Sequence, residues 1–309
     1  MLNRDNYKHL LMNYTLRQLE VFCTLVKTGS FTRASEVLHL SQPAVSLQYK
    51  SFSEQFHFDL LQQQNKRFVL TDFGALVHAE ASAILQRVRN LAALNESVQG
   101  ELVGTLRFSI VSTGKYILPT LLREFLELHP KVRLQMDVTN KDHVLQHLLD
   151  NTVDLSLMSL VPDRLALETE TLMPNTLVLV CSPSYAEKHR PLDLTKLQFV
   201  FREHGSATRK AMEDFLKTSQ IEPEYPLELT SNEAVKQSLL AGLGASVLPV
   251  IGIRRELNAG LLVELPVKNL PIVTAWHLAW RSNQRLSPVA QAYIDYVREH
   301  KERLIKNFD

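Results

Sequence analysis

Four side chains between residues 42 and 50 have types and a spacing that could contact an array of hydrogen-bonding groups and methyl groups. They are Gln42, Ser46, Leu47 and Lys50, and their intervals place them on one side of a helix. A carboxamide can bond bidentately to the edge of adenine, a hydroxyl can serve several bases, and an apolar side chain can touch the methyl group of thymine. The sequence therefore predicts a surface that contacts base edges on double-stranded DNA.

Hydroxyl and basic side chains that suit phosphate groups flank this surface. Arg33 and Ser41 stand at the starts of the second and third predicted helices, where exposed N–H groups favour anions. Pro43 lies in the first turn of the third helix, where its missing N–H costs little, and it belongs to the predicted interface. Lys66 and Arg67 come at the end of a polar turn and suit phosphates or a narrow minor groove.

Three short helices would position these side chains. Thr15, Ser30 and Ser41 each precede apolar residues at helical spacing and are typical N-caps. Gly29 ends the first of these runs, and Arg67–Leu70 is predicted to be a strand after the polar turn. Three helices followed by a strand-turn-strand predict a winged helix-turn-helix, in which the third helix enters the major groove by its N-terminus.

The charge of this region is modest for a DNA-binding domain. Residues 1–73 carry eight Lys or Arg and six Asp or Glu, a net charge of +2, and the whole chain has a net charge of +1. A dimer or tetramer would multiply the phosphate contacts, so DNA binding would require oligomerisation. On the pattern alone, a helical bundle that contacts another protein is an equal alternative.

A long helix is predicted next, from Phe73 to about Gln99, because no proline interrupts this stretch. Its seam recurs at alternating intervals of four and three residues, through Val77, Ala81, Ile84, Val88, Leu91, Asn95 and Val98. That spacing is typical of a helix that pairs with a copy of itself, and Asn95 would then set the register of the pair. The alternative is an amphipathic helix that packs on its own domain.

After Gly104 the sequence alternates between strands and helices, which predicts parallel sheets in two α/β subdomains with a cleft between them. Ligands of such domains bind outside the carboxyl ends of strands, where helices begin. The residues at those corners that we expect to bind a small anionic metabolite are Ser112, Thr113, Thr208 and Asn232, with Asn140 and Arg202 as second choices. Lys115 and Arg209 could add positive charge. Taken singly, each hydroxyl or amide could instead serve only as a helix cap.

The sequence gives little support for a phosphate-binding loop, a metal site or a catalytic site. The run Ala241–Ala245 is rich in glycine, but it follows a helix and precedes a strand, so it predicts a helix end and a tight turn rather than a phosphate loop. His143 and His147 share a helix face without a metal-binding motif. We therefore predict no metal site, no catalytic residue and no cofactor. Two distant cysteines, Cys23 and Cys181, and the lack of a signal peptide or membrane span predict a cytoplasmic protein.

The run from Leu16 to Phe52, LRQLEVFCTLVKTGSFTRASEVLHLSQPAVSLQYKSF, closely resembles the N-terminal domain of LysR-type transcriptional regulators. The resemblance continues over nearly the whole chain after Met12. Three strings in the C-terminal part are most similar to regulators of Calvin-cycle (RuBisCO operon) genes: VSTGKYILPTLLREFLELHP, REHGSATRKAMEDF and SNEAVKQSLLAGLGASVLP.

The resemblance implies an α/β multidomain protein with an N-terminal winged helix-turn-helix, a long linker helix and a C-terminal two-subdomain, periplasmic-binding-protein-like effector domain. The predicted boundaries are 13–72 for the DNA-binding domain, 73–102 for the linker or dimerisation helix, 103–309 for the effector domain, about 103–165 and 269–309 for subdomain I, and about 166–268 for subdomain II. The resemblance also implies that the strand-to-helix corners face each other across an effector cleft. The expected partners are double-stranded promoter DNA, RNA polymerase, a small-molecule effector and further copies of the chain in a dimer of dimers, a homotetramer.

The sequence departs from the family pattern mainly in the wing. Gln63 stands where a basic residue is usual, Asn65 replaces a common glycine, and Val69 replaces a frequent arginine. His57 stands where a glycine is usual, and Leu47 where arginine is frequent. These changes predict weaker nonspecific DNA binding and leave the fold intact.

Two other functional classes share parts of this architecture. A bilobal small-molecule-binding protein without a DNA role would have the same C-terminal domain, and an α/β enzyme would have a similar cleft. The N-terminal winged domain and the missing signal peptide argue against the first class. The lack of a nucleophile elbow, an acid–base carboxylate pair or a metal constellation argues against the second. The sequence therefore favours a ligand-responsive, sequence-specific regulator of transcription.

Overall fold

The computed structural model describes residues 13–97, 101–162, 165–223 and 227–308. These residues form two compact units. The first contains residues 13–95 and Leu149–Thr152, and the second contains the described residues of Glu96–Leu148 and from Val153 onward. Each unit has its own apolar clusters and is described by itself.

Three helices begin the first unit: α1 (Leu16–Thr28), α2 (Phe31–Leu38) and α3 (Gln42–Ser53). Each begins after a hydroxyl N-cap that accepts a hydrogen bond from the N–H three residues on, and these caps are Thr15, Ser30 and Ser41, as predicted. Gly29 ends α1 with a φ of 63°, a left-handed conformation that glycine adopts without strain. Local sequence alone therefore sets the limits of all three helices.

Two short antiparallel strands complete the winged fold. They are β1 (Leu61–Gln64) and β2 (Arg67–Leu70), joined by Asn65 and Lys66, whose φ angles are 50° and 62°. Positive φ at both loop residues is the mark of a type I′ turn, whose twist matches that of the two strands. Asparagine tolerates this backbone region better than most residues, which explains how Asn65 can take the place of a glycine.

A long helix, α4 (Asp72–Ser97), follows the wing. The first two residues of its predicted seam, Val77 and Ala81, pack in an apolar cluster with Leu19 and Phe22 of α1. At these two positions the alternative interpretation is correct, because the amphipathic helix packs on its own domain.

The later part of the seam has a different environment. Ile84, Val88 and Leu91 are 41 %, 37 % and 68 % exposed, so an apolar stripe continues along α4 beyond the residues that the domain core covers. The side chain of Asn95 and all of Val98 lie outside the described residues. Self-pairing of α4 remains a prediction for this exposed part of the helix.

The strands of the second unit are β3 (Gly104–Val111), β4 (Val132–Thr139), β5 (Leu155–Met158), β6 (Leu167–Cys181), β7 (Val200–Arg202), β8 (Leu227–Leu229), β9 (Ala245–Pro249), β10 (Val263–Glu264) and β11 (Ile272–Arg281). One mixed sheet has the order β10–β6–β11–β5–β3–β4, and β9 also pairs with β6. A separate pair is formed by β7 and β8. Because β6 and β11 are long, they run through both halves of the unit.

The helices of this unit are α5 (Leu118–Leu128), α6 (Lys141–Leu149), α7 (Pro183–Lys188), α8 (Ala207–Thr218), α9 (Asn232–Leu240), α10 (Arg254–Asn258) and α11 (Pro288–Ile305). Short 3₁₀ turns cover Ser112–Tyr116, Leu194–Lys196, Val250–Gly252 and Lys306–Phe308. None of the helices in the described part of the chain is both long and apolar enough to cross a bilayer.

The prediction of parallel sheets is correct for only part of the unit. β3 pairs in parallel with β4 and β5, and β7 pairs in parallel with β8. The prediction is wrong for β6, whose partners β9, β10 and β11 all run antiparallel to it. Strand β6 starts at Leu167, although only its last part, Leu177–Cys181, has the apolar composition of a buried strand. Pairing with β11 decides its length, because the polar first half gains its hydrogen bonds from that neighbour.

Apolar clusters on either side of these strands hold the unit together. The larger cluster joins β3, β5, α5 and α11 and contains the fully buried Phe108, Phe125, Trp276 and Tyr293. Two smaller clusters pack on opposite faces of β6 and β9, one with Phe199 and one with Val235. The C-terminal helix therefore packs with β3 and β5. The chain thus ends in the half of the second unit that also contains the first strand of that unit.

Candidate functional site

The predicted base-contacting residues lie on the accessible side of α3. Val45, on the opposite side, is fully buried, and this burial sets how the helix is turned about its axis. Leu47 is 66 % exposed, Gln42 and Lys50 are exposed, and Ser46 is half-buried. The structure thus presents a carboxamide, an apolar side chain and an ammonium group to solvent from one helix.

The predicted phosphate contacts at the helix starts are accessible as well. Ser41 and Pro43 are exposed in the first turn of α3, and Arg33 is exposed in the first turn of α2. The hydroxyl of Ser41 accepts from the main-chain N–H of Ala44 at 3.4 Å. This bond is long, so a phosphate oxygen could share the same group of N–H donors.

The wing is held against the end of α1. The main-chain N–H of Phe68 donates to the carbonyl of Gly29 at 3.1 Å, and the ring of Phe68 meets that of Phe31 edge to face with centroids 4.9 Å apart. These contacts join β2 to the turn between α1 and α2. Lys66 and Arg67 are exposed at the tip of this anchored hairpin.

Most of the predicted cations are free to meet phosphates. Lys50 lies 3.8 Å from the carboxylate of Glu54, and both side chains are largely exposed, so this pair is weak. Among the described residues, Arg33, Lys66 and Arg67 have no carboxylate within ion-pair distance. The modest net charge of the domain therefore understates the positive charge on this surface.

The second unit contains a cavity of about 310 Å³, a volume that suits a small metabolite. Thr113 from the turn after β3 and Thr208 from the first turn of α8 line one part of it. Asn175 of β6 and Thr274 of β11 line another part, and Phe215 provides part of an apolar wall. The cavity therefore lies where helix starts meet the two long strands that run through the unit.

The structure brings the four first-choice effector residues together in two pairs. Thr113 and Thr208 are buried at the cavity surface, and neither hydroxyl has a hydrogen-bond partner among the described residues. Ser112 and Asn232 contact each other, because the amide of Asn232 donates to the Ser112 hydroxyl at 3.5 Å. The Asn232 Oδ1 atom is buried without a partner. Each pair joins the end of β3 to a helix start more than ninety residues away in the sequence.

The second-choice residues do not line this cavity. The carboxamide of Asn140 accepts from the N–H of His143 at 3.0 Å and so caps α6, which is the alternative role considered for it. Arg202 is only 3 % exposed, and its Nε and Nη2 atoms each lie 2.7 Å from an oxygen of Glu203. This bidentate pair compensates the charge of Arg202.

Arg209 and Lys115, the two residues proposed as further sources of positive charge, differ in whether a carboxylate balances that charge. Arg209 donates to Glu213 at 2.7 Å and to Glu228 at 2.6 Å, so its charge is already balanced. Lys115 has no ion pair among the described residues, and its Nζ atom lies 5.1 Å from the centre of the Tyr116 ring. Lys115 is therefore the uncompensated cation of this pair.

Sequence reasoning missed the cavity residues that come from the long strands. Asn175 and Thr274 stand opposite each other in the β6–β11 register, and Ser159 and Asn269 also line the cavity. The sequence contains one indication of this part of the cavity, the polar residue Asn175, which stands between Pro174 and the apolar end of β6. Its meaning depends on strand pairing across ninety-nine positions, which the spacing of residues does not show.

Polar contacts also connect the start of α9 with the turn after β3. The Tyr116 hydroxyl donates to Glu233 at 3.3 Å, and Glu233 pairs with Lys236 at 3.1 Å. Burial, followed by the Glu233 carboxylate, raises the pKa of Tyr116, so its hydroxyl stays protonated and donates. A hydrogen bond from Gln237, and then the Lys236 ammonium, lowers the pKa of Glu233.

A close contact between a glycine and an aspartate side chain joins the two halves of the unit at a second point. Gly205 has a φ of +82°, and a Cβ atom there would lie 2.7 Å from Oδ2 of Asp142. The positive φ favours glycine at this position, whereas the exposed Asp142 carboxylate could turn away from a methyl group. The loop before α8 therefore lies against the start of α6.

Comparisons with known proteins agree with both parts of this description. Residues 16–75 match the family model for the bacterial regulatory helix-turn-helix protein of the lysR family. Residues 99–302 match the family model for the LysR substrate binding domain. The first match favours a DNA-binding regulator over a small-molecule-binding protein without a DNA role.

Similar proteins cover nearly the whole chain. A RuBisCO operon transcriptional regulator from Allochromatium vinosum is 38 % identical over 297 residues, which are 95 % of this chain and 98 % of that protein. The regulatory domain of CcmR from Synechocystis PCC6803, solved in complex with 2-PG, is 29 % identical with a TM-score of 0.58, over 64 % of this chain and 97 % of that one. Full-length CbnR, solved with its target DNA, shares the fold, with 22 % identity and a TM-score of 0.62 over 93 % of this chain and 99 % of that one.

The exposed surface on α3, the cavity of the second unit and the two family matches belong to one continuous chain. Its relatives are transcription regulators over the same length. The chain belongs to the LysR-type family of transcriptional regulators.

Proposed function

We propose that this regulator binds promoter DNA of defined sequence, responds to a small anionic metabolite, and controls carbon-fixation or related central-metabolism genes. In our proposal the protein regulates transcription and does not catalyse a reaction. The observation that carries the proposal is the presence, in one chain, of an exposed helix-turn-helix surface and a cavity lined by hydroxyls without partners. The 38 % identity to a RuBisCO operon regulator supports the choice of target genes.

On DNA, the side chains of α3 would contact bases and those around it would contact phosphates. Gln42 would bond to adenine, Leu47 would touch a thymine methyl group, and Ser46 and Lys50 would reach neighbouring bases. The phosphate contacts would come from Arg33, Ser41, Pro43, Lys66 and Arg67, with Pro43 contributing through its position in the first turn of α3. The exposure of these side chains and the free charge of the arginines support this assignment.

The regulator would act as a dimer of dimers in the cytoplasm and would contact RNA polymerase at the promoter. The exposed apolar stripe of α4 supports the dimer, because pairing of two copies would cover Ile84, Val88 and Leu91. A paired linker helix (73–102) would set the spacing of two DNA-binding domains (13–72) on a pseudo-palindrome. Closure of the effector domain (103–309) on its ligand would change that spacing, provided the ligand binds the two arrangements with different affinity.

The effector would bind at the cavity and the adjoining helix starts. Thr113 and Thr208 have free hydroxyls there, and Ser112 and Asn232 stand at the neighbouring corner. The start of α8 favours negative charge, and 2-PG is the ligand with which the CcmR regulatory domain was solved. Asn140 and Arg202 would take part only if the loops that hold them rearrange.

Selection of binding sites from random DNA, followed by footprinting, tests the DNA-binding part. We expect one enriched sequence with two-fold symmetry, and a footprint or DNA bend that changes when effector is added. Lys50→Ala would weaken binding, while Gln55→Ala, an exposed residue beyond the end of α3, would not. Failure to enrich any sequence, or a footprint that no metabolite alters, would overturn the proposal.

A thermal-shift screen tests the effector part. The probes are sugar bisphosphates, phosphoglycolate, phosphoenolpyruvate, 2-oxoglutarate and NADPH, and a ligand that binds only the folded state raises Tm as its concentration increases. Thr113→Ala and Thr208→Ala should abolish the shift, whereas Ser53→Ala in the first unit should leave it unchanged. A shift that survives both cavity substitutions would place the effector elsewhere.

A further inference from the structure

The Asn175 carboxamide is the most unusual polar group of the cavity. It lies in the middle of β6, is only 4 % exposed, and has a buried Oδ1 atom with no hydrogen-bond partner. Burying a carbonyl oxygen without a donor costs about 1–3 kcal/mol. Proteins keep few such groups, and those that line a cavity are candidates for ligand contact.

The neighbouring strand shows which end of the carboxamide lacks a partner. Thr274 donates its only hydroxyl hydrogen to the main-chain carbonyl of Asn175 at 3.4 Å. Its oxygen in turn accepts from the NH₂ group of the Asn175 side chain at 3.0 Å. This network uses the donor end of the carboxamide and leaves the acceptor Oδ1 without a partner.

The remaining polar groups of the cavity have a different character. The hydroxyls of Thr113, Ser159 and Thr208 have no partners among the described residues, and each can donate to an anion. Lys210 and Asp214 are the charged residues of the lining, and they pair with each other at 2.6 Å. The cavity lining thus combines three hydroxyls that can donate with one carboxamide whose oxygen lacks a donor.

We propose that Asn175 selects effectors that carry a hydroxyl group besides their negative charge, so the ligand class is a small hydroxy acid or a hydroxylated phosphate ester. This inference rests on the proposed effector function of the same cavity. A small rotation of the Asn175 side chain would bring its buried Oδ1 atom to the cavity surface, where the hydroxyl of the ligand donates to it. The anionic end of the ligand accepts from Thr113 and Thr208. Because β6 runs through both halves of the unit, a ligand held by Asn175 contacts the strand that joins them.

Matched pairs of ligands test this assignment with the full chain. The probes are malate against succinate, and phosphoglycerate against phosphopropionate, which differ within each pair by one hydroxyl group. Calorimetric titration should show that the hydroxylated member of at least one pair binds about tenfold or more tightly. The difference should vanish in Asn175→Leu, which has a similar volume and no acceptor.

Two further variants separate recognition from damage to the fold. Asn175→Asp keeps an acceptor and adds negative charge, so it should bind all four probes more weakly and still prefer the hydroxylated members. Asn307→Leu changes an exposed carboxamide in the last turn of the chain and should leave the preference as in the wild type. If Asn175→Leu does not fold, the preference retained by Asn175→Asp remains the supporting result.

The outcomes that overturn the proposal are distinct from those that overturn the effector function. Equal affinity within both pairs, or a hydroxyl preference that persists in Asn175→Leu, would show that Asn175 does not select the ligand. If other anions raise Tm but no hydroxylated probe binds, the proposal is wrong and the effector function stands. If no anion of any kind binds at millimolar concentration, both are wrong.

Discussion

The two functional regions of this regulator are built in opposite ways. The residues predicted to contact bases lie within one short helix, Gln42–Ser53, and project into solvent. The cavity of the second unit is a partly open recess that draws on residues as far apart as Thr113 and Thr274. A surface that binds a polymer from outside can be set by helix caps and periodicity, whereas a cavity for a small molecule needs walls from several strands and helices.

The two regions also differ in whether their basic side chains form ion pairs. Arg33, Lys66 and Arg67 in the first region have no ion pair among the described residues and can attract phosphates. In the second region the buried Arg202 and the half-buried Arg209 have carboxylate partners within 2.7 Å. Burial explains the difference, because an unpaired charge removed from water is costly. The cavity lining follows the same rule, because its charged residues, Lys210 and Asp214, pair with each other.

The largest expected effect tests whether the two regions are independent. Phe22 is fully buried, and its ring centroid lies 5.4 Å from that of Phe52. Phe22→Ala should destabilise the first unit by about 3–5 kcal/mol through lost burial and the cavity left behind. Calorimetry should show that the unfolding transition of the first unit moves to a lower temperature while that of the second unit stays in place. DNA binding should be lost. An effector-induced Tm shift lost together with DNA binding would contradict the independence of the two units.

A smaller effect is expected from the DNA-contacting surface. Gln42→Ala should weaken binding to the selected sequence by about 1–3 kcal/mol and relax the base preference at one position. Gln42 is exposed, so Tm should stay unchanged. Binding curves against the selected site and its single-base variants measure both effects. An equal loss for all sequences would identify Gln42 as a phosphate contact instead.

The loop contact in the second region should be sensitive to a single methyl group. Gly205→Ala places a side chain at a φ of +82° and 2.7 Å from Asp142, which should cost about 1 kcal/mol or slightly more. The double variant Gly205→Ala, Asp142→Ala should recover the part due to the clash. If the double variant is no more stable than Gly205→Ala, backbone strain alone explains the loss.

The smallest effect is a pH dependence confined to the second region. A hydrogen bond from Lys301 is the largest cause that lowers the pKa of Glu170, and Arg298 adds to it. A lowered pKa in the folded state stabilises the protein above the unfolded pKa of about 4.5, and this contribution is lost as pH falls through the folded value. Glu170→Gln should therefore lower stability by about 0.5–1 kcal/mol at pH 7, with no difference in strong acid.

Denaturation curves at several pH values measure this difference. Glu299→Gln is the matched control, because Glu299 is exposed on the same C-terminal helix, α11, and has no ion pair among the described residues. A difference between wild type and Glu170→Gln that grows as pH falls would contradict the lowered pKa of Glu170.

Sequence-based prediction succeeded where structure depends on neighbouring residues. The N-caps Thr15, Ser30 and Ser41 and the left-handed Gly29 are confirmed, because a cap bonds to an N–H only three residues away. It succeeded only in part along α4, where Val77 follows the predicted seam but packs against its own domain. A heptad pattern shows that one helix face is apolar and does not identify what covers it.

The sequence by itself therefore determined the family, the helix-turn-helix, and the side chains that α3 presents to solvent, because a helix repeats every 3.6 residues and so converts spacing directly into direction. Only the tertiary structure decided the antiparallel partners of β6, the pairing of Arg209 with Glu228, and the place of Asn175 at the cavity. The physical reason is that strands gain their hydrogen bonds from partners distant in the chain. A residue such as Asn175 acquires its role from whichever strand lies beside it.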